Sequence, residues 1–198
     1  TIPEHEEIKK QLMPKILEQE EKFNNNNRGI ENAYTNYSFE GKWFEHSGFL
    51  GDPSVVKPII LQTIHEVINH MKSNNILPIP PYKDYFIGNA WYTRYNTGGS
   101  FEYHQHGHTQ TIINGQMANT VFSIIYILND QNVGNSTMFV NHDRNYLAIS
   151  SDIDIDTADY SDIKEGTVII FPSSFHHKVN RIKIPNRITV SYNIFGVL

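Results

Sequence analysis

Apolar residues fall into two regimes along the chain. From about Pro3 to Phe23, Ile8, Leu12, Ile16 and Leu17 recur at helical spacing inside a charged stretch, which predicts an amphipathic helix that lays an apolar stripe on a core. Between Ser54 and Ser73, Val56, Ile59, Ile60, Ile64, Val67, Ile68 and Met71 repeat the same period. Pro53-Ser54 supplies a start and Asn74-Asn75 a stop, so a second helix is expected there, with His65 and His70 as ordinary surface or packing residues. After Pro78, Pro80 and Pro81 the character changes. Phe86–Tyr95, Asn119–Leu128, Asn135–Val140, Tyr146–Ile149, Gly166–Phe171, His176–Arg181 and Arg187–Phe195 are rich in Ile, Val, Tyr, Phe and Thr, and Gly, Asn, Asp and Pro separate them. Such segments are short strands. Closely spaced strands behind two helices predict a mainly β (α+β) fold, a jelly-roll core at 84–198 with a helical N-terminal layer at 1–80 packed outside it.

The length of 198 residues, 22.9 kDa, suits a single domain over 1–198. The absence of cysteine excludes a disulfide scaffold, a thiolate zinc site, an iron–sulfur centre and a cysteine nucleophile. Any metal must therefore sit on His, Asp or Glu. With 16 Lys+Arg against 21 Asp+Glu and a net charge of −5, the chain has no basic field to attract nucleic acid or a membrane surface. Apolar runs such as Val121–Leu128 fall far short of the roughly 20 residues of a membrane helix, and Thr1–Lys10 is charged rather than signal-like. The expectation is a soluble, cytoplasmic protein. Asp152, Asp154 and Asp156 open like a calcium loop, but Thr157 and Ile163 stand where Gly and Glu are needed, so an exposed acidic hairpin is expected instead.

The ten histidines are unevenly placed, and they change the picture. His104, His106 and His108 alternate directly after Gly98-Gly99-Ser100-Phe101-Glu102-Tyr103. In an extended segment, alternate residues face the same way about 6.6 Å apart, so two imidazoles can converge on one metal. A third imidazole is available from His176-His177, after the apolar strand Gly166–Phe171. Ten residues beyond His177 comes Arg187, with Thr189 pointing to the same side. A guanidinium there can clamp a carboxylate through parallel hydrogen bonds and the threonine can add a hydroxyl, which suits a keto-acid co-substrate. His108 could also be a ligand if the strand ends early, and His176 could take the place of His177; otherwise both stand at the pocket rim.

These residues resemble those of the 2-oxoglutarate- and iron(II)-dependent dioxygenases, in their prolyl-hydroxylase-like branch. Arg94-Tyr95 through His104-Gln105-His106 is similar to that branch's Arg-Tyr, Gly, His-x-Asp segment. Tyr126-Ile127-Leu128-Asn129 and Gly134-Asn135-Ser136-Thr137-Met138-Phe139 are similar to its Tyr-Leu-Asn and Gly-Gly-x-Thr-x-Phe, while His177 and Arg187 match its last metal ligand and its carboxylate-binding base. The likeness spans roughly Asn89–Gly196. Within the branch the chain also resembles a group of largely uncharacterised bacterial and phage-encoded oxygenases, a likeness that names no substrate. It departs at one position, where His106 replaces the usual aspartate and makes the set three histidines. Glu102 and Asp143 are the alternative carboxylates.

The resemblance implies a double-stranded β-helix holding Fe(II) on His104, His106 and His177, with 2-oxoglutarate anchored by Arg187 and Thr189 and Tyr95 as a further co-substrate contact. Tyr92 and Trp91 are read chiefly as core aromatics, Arg94 only as preceding the metal segment on its strand, and Asn193 as a pocket wall or a partner for a backbone group. The implied reaction takes 2-oxoglutarate and O2 and hydroxylates a C–H bond of a small molecule or a peptidyl side chain, releasing succinate and CO2. The polar segment His108–Ala118 is the candidate lid. Two rivals carry different expectations: a cupin-like three-histidine metalloenzyme that needs no keto acid, and a non-catalytic jelly-roll binding module.

Overall fold

The computed structural model describes Ile2 and residues 4–20, 30–36, 65–67, 69–70, 73–74, 82–106, 110–131, 137–140 and 163–197. The first helix, α1 (His5–Glu20), lies within the predicted span. The second is described only at 65–67, 69–70 and 73, which are helical, with His65 and His70 exposed. His108, Asp143, the strand expected at 146–149 and the acidic hairpin lie outside the described residues.

Among the described residues eight strands follow: β1 (Ile30–Thr35), β2 (Asp84–His104), β3 (Gln110–Ile113), β4 (Gln116–Asn129), β5 (Thr137–Val140), β6 (Val168–Pro172), β7 (His176–Val179) and β8 (Arg187–Val197). All described pairings are antiparallel. The long β2 does two jobs. Residues 84–95 pair with β8, and beyond Gly98-Gly99 its last residues, Phe101 and His104, pair with Val179 and His177 of β7. One layer thus runs β2–β8–β4–β6 and the other continues from the end of β2 through β7 to β5. This is a jelly roll.

Two elements differ from the sequence reading. Residues 30–35, within the stretch expected to be helical, form β1 and add to the free side of β2. Residues 110–118, expected as a lid loop, form the β3–β4 hairpin. Its two-residue turn has both Asn114 (φ 52°) and Gly115 (φ 78°) in the left-handed region, the turn whose twist matches paired strands.

The β2–β8–β4 sheet is buried on both faces, as the unbroken burial of β8 shows. On one face Ile8, Leu12 and Ile16 of α1 pack onto Tyr92, Ile124, Tyr126, Val190 and Tyr192. Burial of each such aliphatic side chain contributes about 1.5–3 kcal/mol. The N-terminus of α1 is also tied by polar contacts. His5 Nδ1 meets the Tyr126 hydroxyl at 2.6 Å, and Glu165 accepts from Lys9 and from the Asp130 N–H. The opposite face, at alternate positions on the same strands, is left for the site. Among the described residues no helix is long and apolar enough to cross a membrane.

Candidate metal centre

Alternation along β2 and β8 puts Trp91, Thr93 and Tyr95 beside Ser191, Thr189 and Arg187, register partner for register partner. With Phe101 and His104 from the far end of β2, Ile125 from β4, Thr137 from β5, and His177 and Val179 from β7, they line one cavity between the two layers. The cavity opens in part to solvent.

His104, His106 and His177 meet there, each offering a ring nitrogen within 4.8 Å of the others. Register is the cause for two of them. His104 and His177 are cross-strand partners, and directly opposed residues project side by side from one face. Their ring centres lie 4.2 Å apart, and the His106 ring is 5.5 Å from His104 and 5.0 Å from His177. Each Nδ1 already has an oxygen partner: Glu102 O at 2.8 Å for His104, Asn193 Oδ1 at 2.9 Å for His106 and Phe175 O at 3.2 Å for His177. With the proton on Nδ1, each Nε2 keeps its lone pair, the orientation a metal-binding imidazole needs. Trp91 and Phe171 brace the rings, Trp91 at 5.1 Å from His106 and Phe171 at 4.8 Å from His177.

Electrostatics keep the cluster neutral. Burial first, and then the neighbouring His104 imidazole, push His106 down to about 4, against the Asn193 hydrogen bond. Burial and both neighbouring imidazoles push His177 down to about 2. Burial likewise lowers His104. Three neutral nitrogen donors suit a divalent transition metal.

Arg187 is fully buried in the same cavity. Its Nε donates to Asp130 Oδ2 at 2.9 Å and its Nη2 to Thr137 Oγ1 at 2.7 Å, while Nη1 is buried without a partner. A buried unpaired guanidinium nitrogen costs energy unless a ligand supplies an acceptor, so the cavity offers a carboxylate a charged donor. Tyr95 lies beneath, its ring centre 5.5 Å from the guanidinium carbon. Burial pushes the Tyr95 phenol up to about 12, against the Arg187 charge and a Thr93 hydrogen bond, so it stays a neutral hydroxyl.

The fold therefore brings His104, His106, His177, Arg187, Thr189 and Tyr95 together. It separates others. Arg94 points to the helix side, where it pairs with Glu20 at 2.6 Å, and Tyr92 joins the α1 core. Trp91 is buried as expected, but in the cavity wall. Glu102 is exposed and gives only its backbone oxygen. Thr137 and Asp130 were given no role by the sequence reading. Both stand in or beside the quoted Tyr-Ile-Leu-Asn and Gly-Asn-Ser-Thr segments, the one signal available for them.

No protein-family model and no curated protein matches the sequence. Solved structures do match by shape. A prolyl-4-hydroxylase from Pseudomonas putida aligns over 99% of this chain and 88% of its own, with TM-score 0.53 and 12% identity. A viral collagen prolyl hydroxylase from Paramecium Bursaria Chlorella virus-1, solved as a 2OG complex, aligns over 95% and 89%, with TM-score 0.51 and 15% identity. An oxidoreductase of the 2OG-Fe(II) oxygenase family from Burkholderia pseudomallei aligns over 58% of this chain, with TM-score 0.42 and 16% identity, and this chain covers 46% of its length. By this likeness the described residues have the jelly-roll fold of the two prolyl hydroxylases.

Proposed function

We propose that the protein is a 2-oxoglutarate- and Fe(II)-dependent oxygenase that hydroxylates a C–H bond. The observation that carries this reading is the placing of three Nδ1-anchored imidazoles and a buried arginine with an unpaired Nη1 in one cavity. The chemistry that iron(II), 2-oxoglutarate and O2 supply together is insertion of one oxygen atom into a C–H bond, with release of succinate and CO2. The chain's part is to bind and orient. His104, His106 and His177 would hold the metal, Arg187 Nη1 and the Thr137 and Thr189 hydroxyls would take the far carboxylate of the keto acid, and the Tyr95 hydroxyl lies within the same cavity wall. Trp91, Phe101, Ile125 and Val179 supply the apolar part of that wall.

Charge supports the reading. Three neutral imidazoles leave a dication at +2, and Arg187 is balanced by Asp130 at 2.9 Å. A dianionic keto acid brings the cavity to neutrality. The carboxylate missing at position 106 is thus present at Asp130, against the arginine.

The same ion pair favours a second reading, a three-histidine metalloenzyme that uses no keto acid, because Arg187 already has a counter-ion. Anaerobic titration with Fe(II) and then 2-oxoglutarate separates the two. A visible charge-transfer band that needs both ligands and is lost in His177→Ala is the expected result. Metal binding without the band would favour the second reading, and no metal binding would leave a non-catalytic binding module.

A further inference from the structure

The imidazoles of the metal centre are not anchored alike. His104 and His177 each direct Nδ1 at the main-chain oxygen two residues back, Glu102 O and Phe175 O. A carbonyl can only accept, so those two rings carry their proton on Nδ1 by local geometry alone. His106 instead directs Nδ1 at a side chain 87 residues away, Asn193 Oδ1 at 2.9 Å. An amide presents either an acceptor or a donor, depending on which way it is turned.

We infer that Asn193, backed by Ser123 and Ser173, is a positioning residue that sets the tautomer of His106 and so decides whether this ring can bind metal. The inference rests on the metal-centre reading above. Asn193 Oδ1 also accepts from Ser123 Oγ at 3.1 Å, and Ser123 Oγ lies 3.0 Å from Ser173 Oγ. Ser123 spends its proton on Asn193, so it receives one from Ser173. The hydroxyls thus point the chain of donors toward Oδ1. Ser173 acts on His106 a second time, because its carbonyl accepts the His106 backbone N–H at 3.1 Å.

Asn193, Ser123 and Ser173 are all buried. Ser123 faces Asn193 across the β4–β8 pairing. With the amide turned over, Nδ2 would donate to Nδ1 and the ring's proton would move to Nε2, facing the other two imidazoles. His106 would then offer no lone pair to a metal.

The test uses the metal-free full chain and Fe(II) alone under anaerobic conditions, with calorimetric affinity and long-range 1H–15N spectra of the histidine rings. Asn193→Leu is expected to move His106 away from the Nδ1–H form and to weaken Fe(II) binding by about 10- to 100-fold, the usual effect of removing such a partner. Asn193→Asp, which can only accept, is expected to keep the tautomer and bind at least as tightly as the wild type, which also answers a folding defect in the leucine variant. Unchanged Fe(II) affinity and tautomer in Asn193→Leu, alongside a loss in His177→Ala, would overturn this inference and leave the metal centre standing. No Fe(II) binding by the wild type would overturn both.

Discussion

Arg187 shows how much one side chain can be asked to do. It is fully buried, and it spends Nε on Asp130, Nη2 on Thr137 and nothing on Nη1. Replacing it alone breaks its ion pair with Asp130, whose side chain is 6% exposed, and breaking a buried pair by removing one partner is strongly destabilising. The informative variant is therefore the double Arg187→Leu/Asp130→Asn. It should hold Fe(II) as the wild type does, because the imidazoles are untouched. Its 2-oxoglutarate affinity should fall by at least about tenfold, since a charged hydrogen bond is worth about 1.5–3 kcal/mol. Calorimetry checks this, and wild-type keto-acid affinity in the double variant would take Arg187 out of the site. Position 187 was readable at this scale from its spacing to His177. The role of Asp130 was not, because nothing in a linear pattern tells which of many acids meets a given base across 57 residues.

At the scale of elements, α1 is held to the sheet by its Ile8, Leu12, Ile16 stripe and by a polar tie at its start. Glu165 is the hub of that tie, accepting from Lys9, His5 and the N–H of Asp130. His5, Glu6 and Glu165 also lie close enough to suggest a second metal group, but Lys9 and Tyr126 already occupy Glu165 and His5. Burial pushes the Glu165 carboxyl up, but its Lys9, Asp130 and His5 hydrogen bonds prevail and hold it below the usual carboxylate range. With a lowered folded-state pKa, its contribution to stability is complete above the unfolded value of about 4.5 and is lost as pH falls through the folded value. Glu165→Gln should therefore melt at a lower temperature than the wild type at pH 7, with the two curves converging in acid. A constant gap down to pH 3 would show that ionisation of Glu165 contributes nothing. The α1 helix and most strands were legible because period 3.6 and β-branched runs report burial directly. β1 was not, since Ile30–Thr35 has too few apolar positions to announce a strand, and its order comes from pairing along β2. The β3–β4 hairpin was missed because the polar residues around Asn114-Gly115 read equally as loop.

For the whole molecule, the candidate metal centre gathers the end of β2 and β7, with His106 held on Asn193 of β8, so occupancy by a metal should stabilise the fold. At a free metal concentration of 100 times the dissociation constant, a ligand specific for the native state adds about 2.7 kcal/mol. In a domain of 150–250 residues that raises the melting temperature by roughly 5–10 °C, which calorimetric scans with and without a chelator would read. An equal melting temperature in both would mean that the native state binds no metal tightly. The sequence by itself determined the local chemistry: a helix that must bury one stripe, strands that must bury their faces, histidines at alternate positions and a base ten residues past the last of them. These follow from periodicity, which each segment carries within itself. Only the tertiary structure decided which groups share a cavity. Turning β2 from β8 to β7 sets His104 against His177, the parity of β2 and β8 sends Tyr95 inward and Arg94 toward α1, and Asn193, Thr137 and Asp130 gain their partners from strands 50 residues and more away. Such contacts depend on register, and register is fixed by the packing of all the strands together.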